Sequence, residues 1–206
     1  NPARCAGWVF LIRLLGREIG MKTFAIALLS LALTAGNTLA TQRADAATIR
    51  LGNVLPGTLV TKEVQSIRER RFENLIAQET DFSCGAASLA TILKYAYGWS
   101  EVTEVDVLEG MFAVSDPEMA QRMGFSLLDL RNYVESVGLR ARGYEIEGDA
   151  LDAVSIPVIV LLNLAGYQHF VVMKKVVGDR VYIGDPALGN KVMNRSEFLD
   201  AWNNRS

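Results

Sequence analysis

Few of the residues that build metal centres and disulfides are present: one histidine, His169, and two cysteines, Cys5 and Cys84, in 206 residues. One histidine and so few thiols fall short of a usual zinc site, so no metal or other cofactor is expected. Positive charge is not in excess either. Lysine and arginine number 21 against 23 aspartates and glutamates, for a net charge of −2. That balance argues against nucleic acid as a partner. The densest basic cluster, Arg68-Glu-Arg-Arg71, reads as a solvated helix face. No Walker-type nucleotide loop appears, nor any internal repeat or low-complexity tract. What the chain does have is apolar content. Hydrophobic residues make up 50% and charged residues 21%, enough to bury a core. The length suits one domain plus a tail.

The N-terminal region reads as targeting. Met21-Lys-Thr23 precedes an apolar stretch from Phe24 to Ala35 that is too short to span a bilayer comfortably. Thr38-Leu-Ala40 and Ala44-Asp-Ala46 are both cleavage triplets, and the first lies nearer the apolar core. Residues 21–40 are therefore expected to be a signal peptide, and residues 1–20 an upstream extension. Trp8-Val-Phe-Leu-Ile-Arg-Leu-Leu15 has the alternative of a short amphipathic helix. The expected location is periplasmic or secreted, with membrane contact only through the signal segment, or anchored if that segment is uncleaved. No lipobox cysteine follows the apolar core. Beyond Ala40 the chain has 17 basic and 22 acidic residues, a net charge near −5. Cys84 is then the one remaining thiol. It cannot form an internal disulfide, and in an oxidising compartment a lone thiol is a liability unless buried or used.

Residues 41–64 read as a linker or N-terminal segment, with at most a short strand over Thr48–Leu51. Residues 62–76 fit helix or strand. Apolar spacing predicts a helix over 84–97, ended by Gly98, with Asp81 and Ser83 as cap candidates. Residues 104–123 hold a further helix interrupted near Pro117. Ser126-Leu-Leu-Asp129 has the form of a capping box, opening a helix through Val137 that Gly138 closes. The second half changes character. Leu139–Ile146 alternates loosely as a strand, and Ile156–Leu162 is an apolar run typical of a buried one. His169–Val176 and Arg180–Gly184 flank Val177-Gly-Asp179 as a hairpin. Ser196–Trp202 reads as a last short helix. Helices first and an antiparallel sheet afterwards indicate an α+β domain over residues 65–206.

Chemistry concentrates at three places. Gln78-Glu-Thr-Asp-Phe-Ser-Cys-Gly85 puts Cys84 at the mouth of a helix, whose positive end favours a thiolate. Gly85 leaves room beside the sulfur for a carbonyl. Gln78 could share an oxyanion with the Cys84 backbone N–H. A glutamine six residues before such a cysteine resembles the layout of a papain-like cysteine peptidase. His169, the one histidine base available, begins one hairpin strand, and Asp185 ends the other. A three-residue loop centred on Asp179 would set Asp185 opposite Met173, on the His169 face. A loop one residue different would break that parity. Asp185-Pro186 also serves as a turn opener, and Asp81 is a rival carboxylate better suited to the helix cap.

These three blocks, Gln78–Gly85, Gly166-Tyr-Gln-His-Phe-Val-Val172 and Val181-Tyr-Ile-Gly-Asp-Pro-Ala187, resemble in order and spacing those of the C39 peptidases. These are papain-fold enzymes that cut bacteriocin and related precursors after a double glycine. The resemblance covers residues 65–206. It implies Cys84 as nucleophile, His169 as base, Asp185 as orienting residue and Gln78 as oxyanion donor. The best-known members are domains of ABC exporters, and this chain is too short to hold one. It looks like the stand-alone secreted branch, which includes a peptidase accompanying functional-amyloid export. The expected substrate is a peptide or protein precursor, with secretion machinery or amyloid-type export proteins as further partners. The rival readings are a leader-peptide or secretion-partner binding module without catalysis, and transglutaminase-like acyl transfer on the same triad.

Overall fold

The computed structural model describes residues 6–13, 47–55, 58–164 and 166–203; the expected signal segment over 21–40 lies outside them. The elements run β1 (Ala6–Arg13), β2 (Ala47–Leu55), β3 (Thr58–Val64), α1 (Ile67–Arg71), α2 (Cys84–Tyr95), α3 (Glu104–Phe112), α4 (Pro117–Met123), α5 (Leu127–Ser136), β4 (Arg140–Glu147), β5 (Val158–Leu164), β6 (Tyr167–Val177), β7 (Arg180–Asp185), β8 (Gly189–Asn194) and α6 (Arg195–Asn203). Apart from β1, the strands of the main sheet follow the helices α1–α5 and all pair antiparallel, so the fold is α+β. Six strands form the main sheet in the order β4-β1-β5-β6-β7-β8. Strands β2 and β3 pair with each other as a separate hairpin, in a unit distinct from the one that holds the main sheet.

Two sequence expectations need correction. Where at most a short strand over Thr48–Leu51 was expected, residues 47–55 and 58–64 form two paired strands, in keeping with the β-branched content of this stretch. Residues 6–13, within the segment for which a short amphipathic helix was the alternative, form strand β1 between β4 and β5. Val9 is buried on one face of the sheet, and Phe10 and Ile12 on the other. An unbroken apolar run buried on both sides suits an interior strand better than an amphipathic helix. The Trp202 indole donates to Trp8 O at 3.2 Å, and the Tyr97 hydroxyl donates to Ile12 O.

The helical half follows its punctuation. Ser126 and Asp129 form the reciprocal capping box at the start of α5, and Gly138 follows it at φ +83°. Asp116 caps α4, with Pro117 in its first turn. Ser83 takes the N-cap position of α2 but does not cap with its side chain. Its hydroxyl bonds back to Thr80 N and O, so the cap expected of Ser83 or Asp81 is replaced by a tight turn ahead of Cys84.

The sheet has a core on each face. Leu89, Ile92 and Leu93 of α2 and Leu130 and Val134 of α5 pack with Phe10, Ile159, Phe170 and Val172. On the other side, Phe198 and Trp202 of α6 cover Val160, Leu162, Val171, Val181 and Ile183. Burying each such side chain contributes about 1.5–3 kcal/mol. This double burial holds β6 and β7, and with them the site, in a fixed frame.

Candidate active site

Sequence-distant segments meet at one end of α2. Ser88, one turn along the helix, donates its hydroxyl to Phe170 O at 3.2 Å, fastening α2 across β6. A Cβ on Gly85 would come within 3.2 Å of Leu130 and 3.3 Å of Phe170. The helix therefore lies close against the sheet, with Cys84 at its first position. Cys84 is only 7% exposed, yet it lines a groove of about 1110 Å³ shared with Asp81, Phe82, Met119, Phe125 and Tyr167.

His169 and Asp185 are both buried, and His169 Nε2 lies 2.8 Å from Asp185 Oδ1. The other ring nitrogen, Nδ1, is buried and makes no hydrogen bond of good geometry. With Nε2 committed to Asp185, Nδ1 is the nitrogen left for the Cys84 side chain, which couples to the ring. Burial alone would lower the pKa of His169. Its bond to Asp185, its contact with Cys84 and the charges of both outweigh burial and raise the value to about 9. Burial likewise disfavours the charged form of Asp185. The His169 bond and Lys191 overcome it and hold the carboxyl well below the usual carboxylate range.

Asp185 also serves the turn that Asp185-Pro186 implied. Its Oδ1 accepts from Ala187 N at 3.0 Å and Leu188 N at 3.1 Å as well as facing the imidazole. The turn thus fixes the carboxylate that meets the ring.

Gln78 is tied to the same turn, its backbone N–H donating to Pro186 O at 2.9 Å. Its side-chain Nε2 donates to Thr80 O at 2.9 Å, and its Oε1 is buried without a partner. One amide hydrogen is thus used locally, which holds the side chain over the loop leading to Cys84 and leaves one hydrogen unassigned. Asp81, the rival carboxylate, meets Tyr167 through its backbone carbonyl, which accepts from the Tyr167 hydroxyl at 2.8 Å. This bond joins the loop before Cys84 to the start of β6. Burial and the neighbouring Cys84 and Asp81 charges raise the Tyr167 pKa.

Two residues escaped sequence reasoning. Lys191 on β8 places Nζ 3.1 Å from Asp185 Oδ2, an ion pair without well-aligned hydrogen-bond geometry. Glu104, at the first position of α3, is 4% exposed and accepts from Glu79 N with both carboxylate oxygens, at 3.0 and 3.1 Å. Neither carries a motif. A lysine on an edge strand and a glutamate in a first helical turn both read as solvated.

The arrangement brings together a thiol, an imidazole and a carboxylate on an α+β scaffold, which defines the class of the site. Residues 73–205 match the peptidase C39 family, and the chain belongs to that family. It is 55% identical over 147 residues to the probable functional amyloid protease FapD of Pseudomonas fluorescens, covering 71% of this chain and 65% of that protein. With the probable functional amyloid protease FapD of Pseudomonas aeruginosa it shares 54% identity over 159 residues, 77% of this chain and 70% of the relative. The match thus spans about two-thirds of these relatives' length. Among solved structures, the double glycine motif protease of an AMS/PCAT transporter, in complex with its leader peptide, is 33% identical. It covers 62% of this chain and 84% of that one at a TM-score of 0.52. The peptidase domain of Streptococcus ComA shares the fold at 22% identity and a TM-score of 0.53, over 62% of this chain and 90% of that one.

Proposed function

We propose that the protein is an exported cysteine peptidase that cuts a peptide or protein precursor after a Gly-Gly type site and serves peptide or protein export. The observation that carries this reading is the position of the one histidine. His169 has one ring nitrogen on a buried carboxylate and leaves the other to Cys84. A structural core histidine has no need of such a pairing.

In this reading the Cys84 thiolate attacks the scissile carbonyl carbon, and the oxyanion is received by the Cys84 backbone N–H and Gln78. The tetrahedral intermediate collapses as imidazolium His169 gives its proton to the departing amine, leaving a thioester on Cys84. His169 then takes a proton from water as the water attacks that thioester. The acid product leaves, and the sulfur departs again as thiolate beside imidazolium. Asp185 keeps the ring oriented and stabilises its charge. A pKa raised to about 9 keeps His169 positive at neutral pH, which suits a thiolate partner.

The solved relative whose title names a double glycine motif supports cleavage after Gly-Gly, and the amyloid protease relatives support a substrate tied to amyloid-type export. The positive start and apolar stretch after Met21 support a signal peptide and a periplasmic location.

The test is a brief, low-dose iodoacetamide pulse at mildly acidic pH, read by mass on the Cys84 peptide, in wild type and His169→Ala. Intact mass first establishes that the thiol is free. Fast alkylation that depends on His169, followed by Cys84-dependent cleavage of Gly-Gly peptides, supports the proposal. Slow alkylation equal in both proteins would leave a leader-binding module. Product mass separates hydrolysis from acyl transfer.

A further inference from the structure

Beside the thiol, imidazole and carboxylate stands a cation that the chemistry above gives no part. Lys191 lies opposite Ile183 in the β7–β8 register, with its side chain 30% exposed and its ammonium 3.1 Å from the far oxygen of a wholly buried Asp185. Asp185 Oδ1 is already shared by His169 Nε2 and two backbone N–H groups. Lys191 supplies the counter-charge on the other side.

We propose that Lys191 is a positioning residue of this site, one that locks the Asp185 carboxylate between two cations and thereby sets how strongly Asp185 holds the proton of His169. The proposal rests on the thiol–imidazole reading above. Its physical basis is charge balance. With Lys191 present, aspartate and ammonium cancel, and a proton moves between Cys84 and His169 against a neutral background. With a neutral residue there, the buried carboxylate acts on the imidazole alone. The imidazolium is then harder to deprotonate, the sulfur is harder to ionise, and His169 becomes a poorer acid towards a leaving amine.

Other charged groups surround this pair, and Asp81, Arg122 and Asp129 line the groove with Cys84. From β6, Tyr167 donates its hydroxyl to Asp81 O, and Lys174 donates to Glu73 O and Asn74 O. From α1, Arg68 and Arg71 line a cleft beside Ala187 and Leu188. Glu73 and Asp81 contribute carbonyls to these bonds, and their charges act on Lys174 and Tyr167. Lys191 is the cation whose ion pair with Asp185 is formed at 3.1 Å.

The experiment measures the pH dependence of Cys84 alkylation, by mass on its peptide, in wild type, Lys191→Met, Lys191→Arg and His169→Ala, each shown folded by circular dichroism. Losing the positive charge beside Asp185 should move the alkylation profile of Lys191→Met up by roughly 0.3–1 pH unit, the effect of one charge acting across the carboxylate and the ring. Lys191→Arg should return it towards wild type. A Lys191→Met profile that keeps its position and changes only in height would overturn the proposal and leave Lys191 as a structural partner. So would a shift that arginine fails to reverse. If His169→Ala leaves the wild-type curve unchanged, the thiol–imidazole pair itself has failed. If His169→Ala changes it and Lys191→Met does not, only the role of Lys191 has failed.

Discussion

His169 and Asp185 meet at 2.8 Å because two irregularities in their hairpin cancel. Val177 pairs with Arg180, so the loop has two residues, Gly178 and Asp179, instead of the three that the sequence implied. That alone would turn Asp185 to the face opposite His169. The register then shifts between Met173 and Lys175, and Val172 pairs with Gly184. One extra residue on β6 restores the parity, and Asp185 returns to the face of His169 and Val171.

A carboxylate held this way should be hard to replace by its amide. The amide would keep the shape but lose the charge that stabilises imidazolium. Asp185→Asn is expected to lower kcat/KM for a Gly-Gly peptide by about 10²–10⁴-fold while the protein stays folded. Steady-state kinetics with circular dichroism checks it. A loss under tenfold would mean that Asp185 serves only the turn.

The same pair gives folding a pH dependence with a definite sign. The pKa of His169 is raised in the fold from 6.5 to about 9. Its contribution is therefore fully present below about pH 6.5 and is lost as pH rises through 9. Asp185 acts oppositely: its pKa is lowered from 3.8, so its contribution is present above pH 3.8 and fades as pH falls further. Thermal midpoints taken from pH 5 to 10 should decline between 6.5 and 9 in wild type. His169→Asn should flatten that decline. An equal slope in both proteins would contradict it.

The sequence made the local rules legible and left the long-range ones hidden. Ser126 and Asp129 announced their helix because a capping box is complete within four residues. Cys84 and His169 stood out because thiols and imidazoles are rare in this chain, and Asp185 because it ends the strand beside the one that His169 begins. The Lys174 region gave no sign of a bulge, since an extra residue shows only in the pairing. The expected face of Asp185 was right although the expected loop was not. Lys191 and Glu104 were invisible because burial and partners, not residue type, give them their roles. Strand β1 was missed because an apolar run before a signal-like segment reads as something other than an interior strand.

Gly189 pairs with Asp185 and sits at φ +90°, where only glycine is comfortable. A Cβ there would approach Arg71 O to 2.8 Å. Gly189→Ala combines backbone strain with a clash against main chain, and should cost about 1–3 kcal/mol of stability. Because β8 also carries Lys191, activity should fall as well. Urea denaturation measures the first effect. A midpoint matching wild type would show that α1 yields freely at Arg71.

Glu104 tests whether the loop before Cys84 must be held. Its buried carboxylate takes the N–H of Glu79, the residue after Gln78. Glu104→Ala leaves that N–H without its partner, at a cost of about 1–3 kcal/mol. If Gln78 is an oxyanion donor, Gln78→Ala alone should lower kcat by about 10²–10³-fold. If Glu104 acts by keeping Gln78 in place, it has little left to do once Gln78 is gone. The two losses should then be strongly non-additive, the double variant being little worse than Gln78→Ala. Fully additive losses in a double-mutant cycle on kcat would confine Glu104 to stability and separate it from the chemistry at Cys84.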